Sequence, residues 1–270
     1  GYSTILHDSE LITMVIVGEL LGLSDNKKIW LYFKNHYLFY FPSIASVKYK
    51  IFNKQATNLW CVLHYIHIEL LRKFNEYDLY LADGLPLPIC HLARSNSCKL
   101  FRGKVARGYC AAKDEYYYGF KILLVTTEHG IPIDYAIDAA NVDERELLTH
   151  TAIAEHTTVI ADKGFISKQL QYQLKQQHDI TLLTPTRKNM LNHISNELSK
   201  LITSTRKRIE TTISQLTEMF SINKTKARSF HGLLGRINRK ILSYTTALFF
   251  NFQIVKDQNE FTQLEHLIQA

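Results

Sequence analysis

The apolar residues of this chain change their spacing near residue 77, and that change limits the folds open to it. Before it they recur at helical intervals; after it they fall into short runs broken by Gly, Pro, Asn and Asp. YLADGLPLPIC, YYYGFKILLVTTEHG and IPIDYAIDAA predict three strands, with Gly130 turning the second into the third. Pro86 and Pro88 keep helix out of the first run, which reads as a short strand ending in a turn. DERELLTHTAIAEH, capped by Asn141 or Asp143, predicts a helix. TTVIADKGF then predicts a fourth strand, SKQLQYQLKQQH a helix and DITLLTP a fifth strand. Helical patterns follow over about 191–220 and in GLLGRINRKILSYTTALFFNFQ. A sheet built in this order needs cover on both faces, so the expected class is α/β, a mixed sheet with flanking helices.

Ahead of the sheet, Asp8 or Ser9 caps a helix ending near Gly22. Ser24 or Asp25 caps a second, stopped by Pro42, and a third runs from about Ser43 to Phe74. The expected domains are a small all-helical N-terminal domain over 1–76, a catalytic domain over 77–255 and a tail over 256–270. Aromatic and basic residues mix densely in the first of these. One reading places Lys27, Lys28, Lys34, Lys48, Lys50 and Lys54 on phosphates; the other is an ordinary helical bundle with aromatic core.

A net charge of +7 suits a polyanionic partner. Six Lys/Arg and no acid lie between Arg94 and Lys113, and twelve Lys/Arg against three Glu between Arg187 and Lys240. Such blocks suit a phosphate backbone, or a solvated helix face. No apolar run is long enough for a membrane span, and no signal peptide precedes the first helix. The chain starts at Gly1 rather than Met, which reads as a copy lacking its true N-terminus. Cys61, Cys90, Cys98 and Cys110 form no CxxC pair; free thiols are favoured over an irregular zinc set of Cys90, His91, Cys98 and Cys110.

Three acids fall where strand and helix ends could bring them together. Asp83 closes the apolar run LYLAD, Asp162 closes TTVIAD, and Glu210 lies in the basic stretch STRKRIETTISQL. Carboxylate oxygens suit Mg²⁺ or Mn²⁺, and two such ions can clamp the attacking and leaving oxygens of a phosphodiester. Each acid also has a plain reading. Asp83 can start the Gly84–Pro86 turn, Asp162 can cap the next turn, and Glu210 can pair with Arg206 one helical turn away. Asp114, Glu115, Asp134 and Asp138 lie outside the pattern, and His91, His129, His150, His156 and His231 are scattered.

The element order, with acids at the end of the first strand, the end of the fourth and on a later helix, is that of the ribonuclease H-like fold. DSELITMVIVGELLGL, YFKNHYLFYFP, DGLPLPIC, GFKILLVTTEHGIPIDYAI, ADKGF, RKRIETTISQL and GLLGRINRKIL together resemble a bacterial insertion-sequence transposase of the DDE class, and more narrowly insertion-sequence family nine-eight-two. The resemblance spans nearly the whole chain. Gly84 stands where a small hydroxyl residue is more usual, and Thr203 and Thr217 where a related signature has tyrosine and lysine. It implies that Asp83, Asp162 and Glu210 are the catalytic acids and hold two ions, Mg²⁺ or Mn²⁺. It also implies cleavage at the ends of a mobile element and transfer of 3′-hydroxyl ends to target DNA. Lys163, Arg206, Lys207 and Arg208, with Lys48 and Lys50, are the expected DNA contacts. The partners are double-stranded DNA, as terminal inverted repeats and as target, and a second copy of the chain on that DNA, with no membrane. The location is the bacterial cytoplasm, at the nucleoid. Two rivals are a nuclease of the same fold and an inactive DNA-binding remnant of a mobile element.

Overall fold

A computed structural model describes residues 5–74, 77–111, 114–187 and 194–254. The expected tail over 256–270 lies outside them. Four helices open the chain: α1 (Asp8–Leu20), α2 (Asn26–His36), α3 (Tyr49–Asn58) and α4 (Trp60–Leu71). Asp25 caps α2 by accepting from the backbone N–H groups of Lys27 and Lys28. That helix stops at Tyr37, short of Pro42. The single long helix expected from Ser43 is instead a one-turn 3₁₀ segment over Pro42–Ala45 followed by α3 and α4. Leu59, at φ −81° and ψ 11°, ends α3 and starts α4. Leu11, Met14, Val15, Ile29, Phe33, Ile44 and Phe52 form the buried core among these elements.

The sheet follows: β1 (Leu79–Cys90), β2 (Ala106–Cys110), β3 (Glu115–Thr127), β4 (Pro132–Ala139), the five-residue helix α5 (Glu144–Leu148), β5 (Thr158–Ile160), α6 (Lys168–His178), β6 (Thr181–Leu183) and α7 (Asn196–Glu218). The strand order is β2-β3-β1-β5-β6, with β4 also on β3. β1, β2 and β4 pair antiparallel to β3, while β5 is parallel to β1 and to β6. One edge of β3 holds β2 along Glu115–Gly119 and then β4 along Phe120–Thr126. Gly130, at φ +82°, makes the β3–β4 turn as the sequence predicts.

Alternation along β1 sends its residues to two cores. Tyr80 and Ala82 pack with Leu147 and Leu148 of α5 and with Leu170 and Leu174 of α6. Leu81 packs on the other face with Ile160 and with Ile202 and Ile209 of α7. This is a mixed sheet with helices on both faces, and it fits the ribonuclease H-like arrangement. β2 was not expected, and β1 is twice interrupted by proline yet continues to Cys90. The hydrogen bonds explain the second point. The Leu79 carbonyl accepts from Glu128 after β3, whereas that of Asp78 accepts from Thr158 of β5. Even-numbered residues of β1 therefore turn their backbone groups away from β3. Pro86 and Pro88 fall on that side, where the pairing with β5 has already ended at Leu81, so their missing N–H groups break no ladder bond.

The last helix, α8 (Phe230–Ile254), packs against α4, α1 and α3. The chain divides into two compact units, one of 1–74 with 215–270 and one of 75–214. The first division falls between residues 74 and 75, and the stretch from 215 to 254 belongs with the helices rather than with the sheet. The reason is local: α8 is buried along most of its length, with Leu233, Ile237, Ile241, Leu242, Tyr244 and Leu248 all in the core. Asn238 donates to the Trp60 carbonyl of α4, and Thr245 shares a hydrogen bond with His67. No helix of the described residues is long and apolar enough to cross a membrane.

Candidate active site

Period-two alternation puts Asp83 on the α7 face of β1, with Leu81. On α7, Ile202, Arg206, Ile209 and Ile213 recur at the spacing of one helix face, so Arg206 lies in the stripe that packs on the sheet. Its Nη2 lies 3.5 Å from Asp83 Oδ2 and 3.8 Å from Glu210 Oε1. Arg206 thus joins the first and third predicted acids. Both contacts are too long for hydrogen bonds, and the buried Nε has no acceptor among the described residues. The Asp83 side chain is 22% exposed and that of Glu210 is 57% exposed.

Asp162 follows β5 and opens a one-turn 3₁₀ segment over Lys163–Phe165, where its Oδ1 accepts from the Gly164 N–H at 2.6 Å. It is near enough to act on Asp83. The Asp83 carboxyl is raised to about 6: burial raises it most, Arg206 and the Gly84 N–H pull it down, and the charges of Asp162 and Glu144 push it up.

Glu144 is the residue the sequence reading missed. It is the first residue of α5, beside the Asp143 cap, and in sequence it looks like an ordinary first-turn acid. Its carboxylate reaches Lys121 Nζ at 3.4 Å. Gly84, on the face opposite Asp83, makes room for it: a Cβ there would lie 2.4 Å from Glu144 Oε1. A Cβ on Gly164 would lie 3.6 Å from its Oε2. The absence of a side chain at position 84, the departure seen in the sequence, is what lets this fourth carboxylate stand beside the strand that carries Asp83. Gly84→Ala is expected to displace Glu144 and so lower the titration of Asp83 below about 6. Glu144→Gln should do the same. Carboxyl-carbon NMR titration reads this, and an unmoved Asp83 in both variants would mean that Glu144 does not act on it.

The other predicted cations divide. Lys163 and Lys207 are exposed. Arg208 is half-buried, and its Nε donates to the His129 carbonyl at 2.9 Å, holding α7 to the β3–β4 turn. Lys48 and Lys50 lie in the helical unit, both exposed, at the start of α3. Asp138 turns back to the N–H of Ala139, and Asp134 accepts from the N–H of Ala152. All four cysteines are free thiols.

Among the described residues no three His, Cys, Asp or Glu side chains converge closely enough to hold a metal ion. The donor set itself suits a hard divalent cation. Asp83, Asp162, Glu144 and Glu210 are oxygen donors, with Arg206 and Lys121 among the cations nearest them.

A search of curated proteins and a search of solved structures return no match. A family model described as a transposase DDE domain matches residues 73–230, which takes in β1, all three predicted acids, Arg206 and Glu144. With more than half of the chain inside that match, the protein belongs to the DDE transposase domain family.

Proposed function

We propose that this chain is an insertion-sequence transposase of family nine-eight-two that cuts the ends of its element and joins the freed 3′-hydroxyls to target DNA. The observation that carries the reading is the shared guanidinium of Arg206 between Asp83 and Glu210, beside an Asp83 that also feels Asp162. Asp83 and Asp162 would hold one Mg²⁺ or Mn²⁺ ion, and Asp83 with Glu210 a second. When bound, the pair supplies an activated water or 3′-hydroxyl and neutralises the departing oxygen. Glu144 adds negative charge behind Asp83. Arg206, too far from either carboxylate to hydrogen-bond, keeps its Nη2 donor for a phosphate oxygen held at the acids. Lys163 and Lys207 stand exposed beside the acids for the same backbone, and Lys48 and Lys50 serve the DNA end held by the helical unit. No protein atom becomes covalently attached, because a water or 3′-hydroxyl oxygen attacks phosphorus and the bridging oxygen leaves with its strand. Joining requires two ends at once, so the active species on DNA is a dimer.

The test is incubation with a duplex copied from the DNA bordering the gene, in Mg²⁺, in Mn²⁺ and with chelator. The expected result is cutting at the element boundary and joined products, both lost with chelator. Cutting without joining would favour the nuclease. Binding without cutting in either metal would favour the inactive remnant.

A further inference from the structure

The basic block between Arg94 and Lys113 falls on the excursion between β1 and β3. Asp83 lies in the middle of β1, and that strand runs on with β3 as a ribbon to Cys90. From there the chain makes a 3₁₀ turn over Leu92–Arg94, a loop, and β2 on the outer edge of β3. The sequence from Gly84 to Ala111 contains no acidic residue, while Arg94, Lys99, Arg102, Lys104 and Arg107 all lie in it and all are exposed.

The loop that carries these cations is held in place. Phe101 packs edge-on against Phe120 of β3 with ring centres 5.3 Å apart. Arg107 of β2 donates to Ser95 Oγ at 3.1 Å and to Asn96 Oδ1 at 2.9 Å. His91 caps the 3₁₀ turn through its ring nitrogen. The cations thus keep a fixed place relative to the ribbon, and through it to Asp83. Phe120 pairs with Leu87, four residues past Asp83, and the ribbon ends at Cys90, seven residues past it. At about 3.3 Å per residue the basic excursion lies roughly 13–23 Å from the acid along the strand. Phosphates recur at about 3.4 Å along each DNA strand, so that interval is roughly four to seven base pairs.

We infer that the excursion is a DNA-binding arm of the catalytic unit, gripping the backbone of the duplex being cut about four to seven base pairs from the scissile phosphate. The inference rests on the transposase reading for what lies at Asp83, but the charge and the spacing are independent of it. A tethered, exposed set of cations with no acid in its own stretch of sequence complements a polyanion. The contact reads no bases; it fixes where along the duplex the acids fall.

The experiment compares the protein carrying Asp83→Asn, so that nothing is cut, with the same protein also carrying R94A, K99A, R102A and K104A. These are surface positions, and an unchanged melting curve certifies the fold. Affinity for a short random-sequence duplex is measured against salt. Each lost phosphate contact should reduce the slope of log affinity against log salt by about 0.9, so a fall of about 3 to 4 is expected. Ethylation interference on the border duplex should lose its signals four to seven base pairs from the cut made by the wild type. The arm is overturned if the slope and the interference pattern are unchanged. It is also overturned if the four substitutions alter only self-association in light scattering, which would assign this face to a second copy of the chain. Failure of the wild type to cut, with the slope still falling, would overturn the active-site reading and leave the arm standing.

Discussion

Asp83→Asn is expected to lower end cutting by roughly a thousandfold or more while leaving DNA affinity within about twofold. Asp162→Asn and Glu210→Gln should behave alike. Lost metal-assisted stabilisation of several kcal/mol corresponds to three or more factors of ten in rate. Asp83 adds a second signature, because its carboxyl is pushed up to about 6, chiefly by burial. A carboxyl raised above its unfolded value stabilises the fold when protonated. Its contribution is complete below the unfolded value near 3.8 and is lost as pH rises through about 6. Ionised Asp83 therefore costs the metal-free protein about 3 kcal/mol at neutral pH, as the difference between the two values sets the scale. Asp83→Asn should then melt later than the wild type at neutral pH and no later below about pH 4. At limiting metal, cutting by the wild type should fall as pH drops below about 6, where a proton competes with the ion for metal-free Asp83. A cutting rate within tenfold of the wild type in any of the three variants would remove that acid from the site.

Glu19→Ala is expected to unfold the helical unit or lower its melting point by more than about 10 °C. Glu19 of α1 is buried between two residues of α8: its Oε1 lies 2.5 Å from Arg239 Nη2 and its Oε2 lies 2.8 Å from Lys240 Nζ. Lys240 is fully buried, and burial pushes its ammonium group down while Glu19 pulls it back up. Arg239 also donates to Asn26 of α2, so the three helices meet at this carboxylate. Removing it strands two cations in the core, which costs about 3–5 kcal/mol, and each kcal/mol is worth several degrees in a unit of this size. Glu19→Gln should be nearly as harmful, since it keeps the shape and removes the charge. Circular-dichroism melts decide the matter, and a shift under about 3 °C for both variants would show that the cluster contributes little. Replacing Glu19 and Lys240 together by Leu and Met should recover part of the loss.

The sequence made some of this visible and hid the rest for physical reasons. The Asp25 cap, the Gly130 turn and the β5–α6–β6 order follow from local chemistry, so they were legible. β2 was not, because ARGYC carries a charge and a glycine and has strand geometry only through its pairing with β3. The place of α8 was not, because a helix buried on most sides shows no preferred partner in its own pattern. Asp83, Asp162 and Glu210 announced themselves by position along the chain. Glu144 did not, since only a glycine sixty residues away makes its place meaningful, and a single sequence has no means of pairing the two.

The prolines of β1 carry a consequence for how copies of this chain can meet. Past Leu81 that strand turns one edge to no other strand of the described residues, and an unguarded edge is a template for β-pairing with another molecule. Pro86 and Pro88 remove two successive donors from it. Another copy of this chain brought alongside that edge meets two missing donors where a ladder would begin. Association of copies is thus steered away from edge-to-edge β-pairing along this strand.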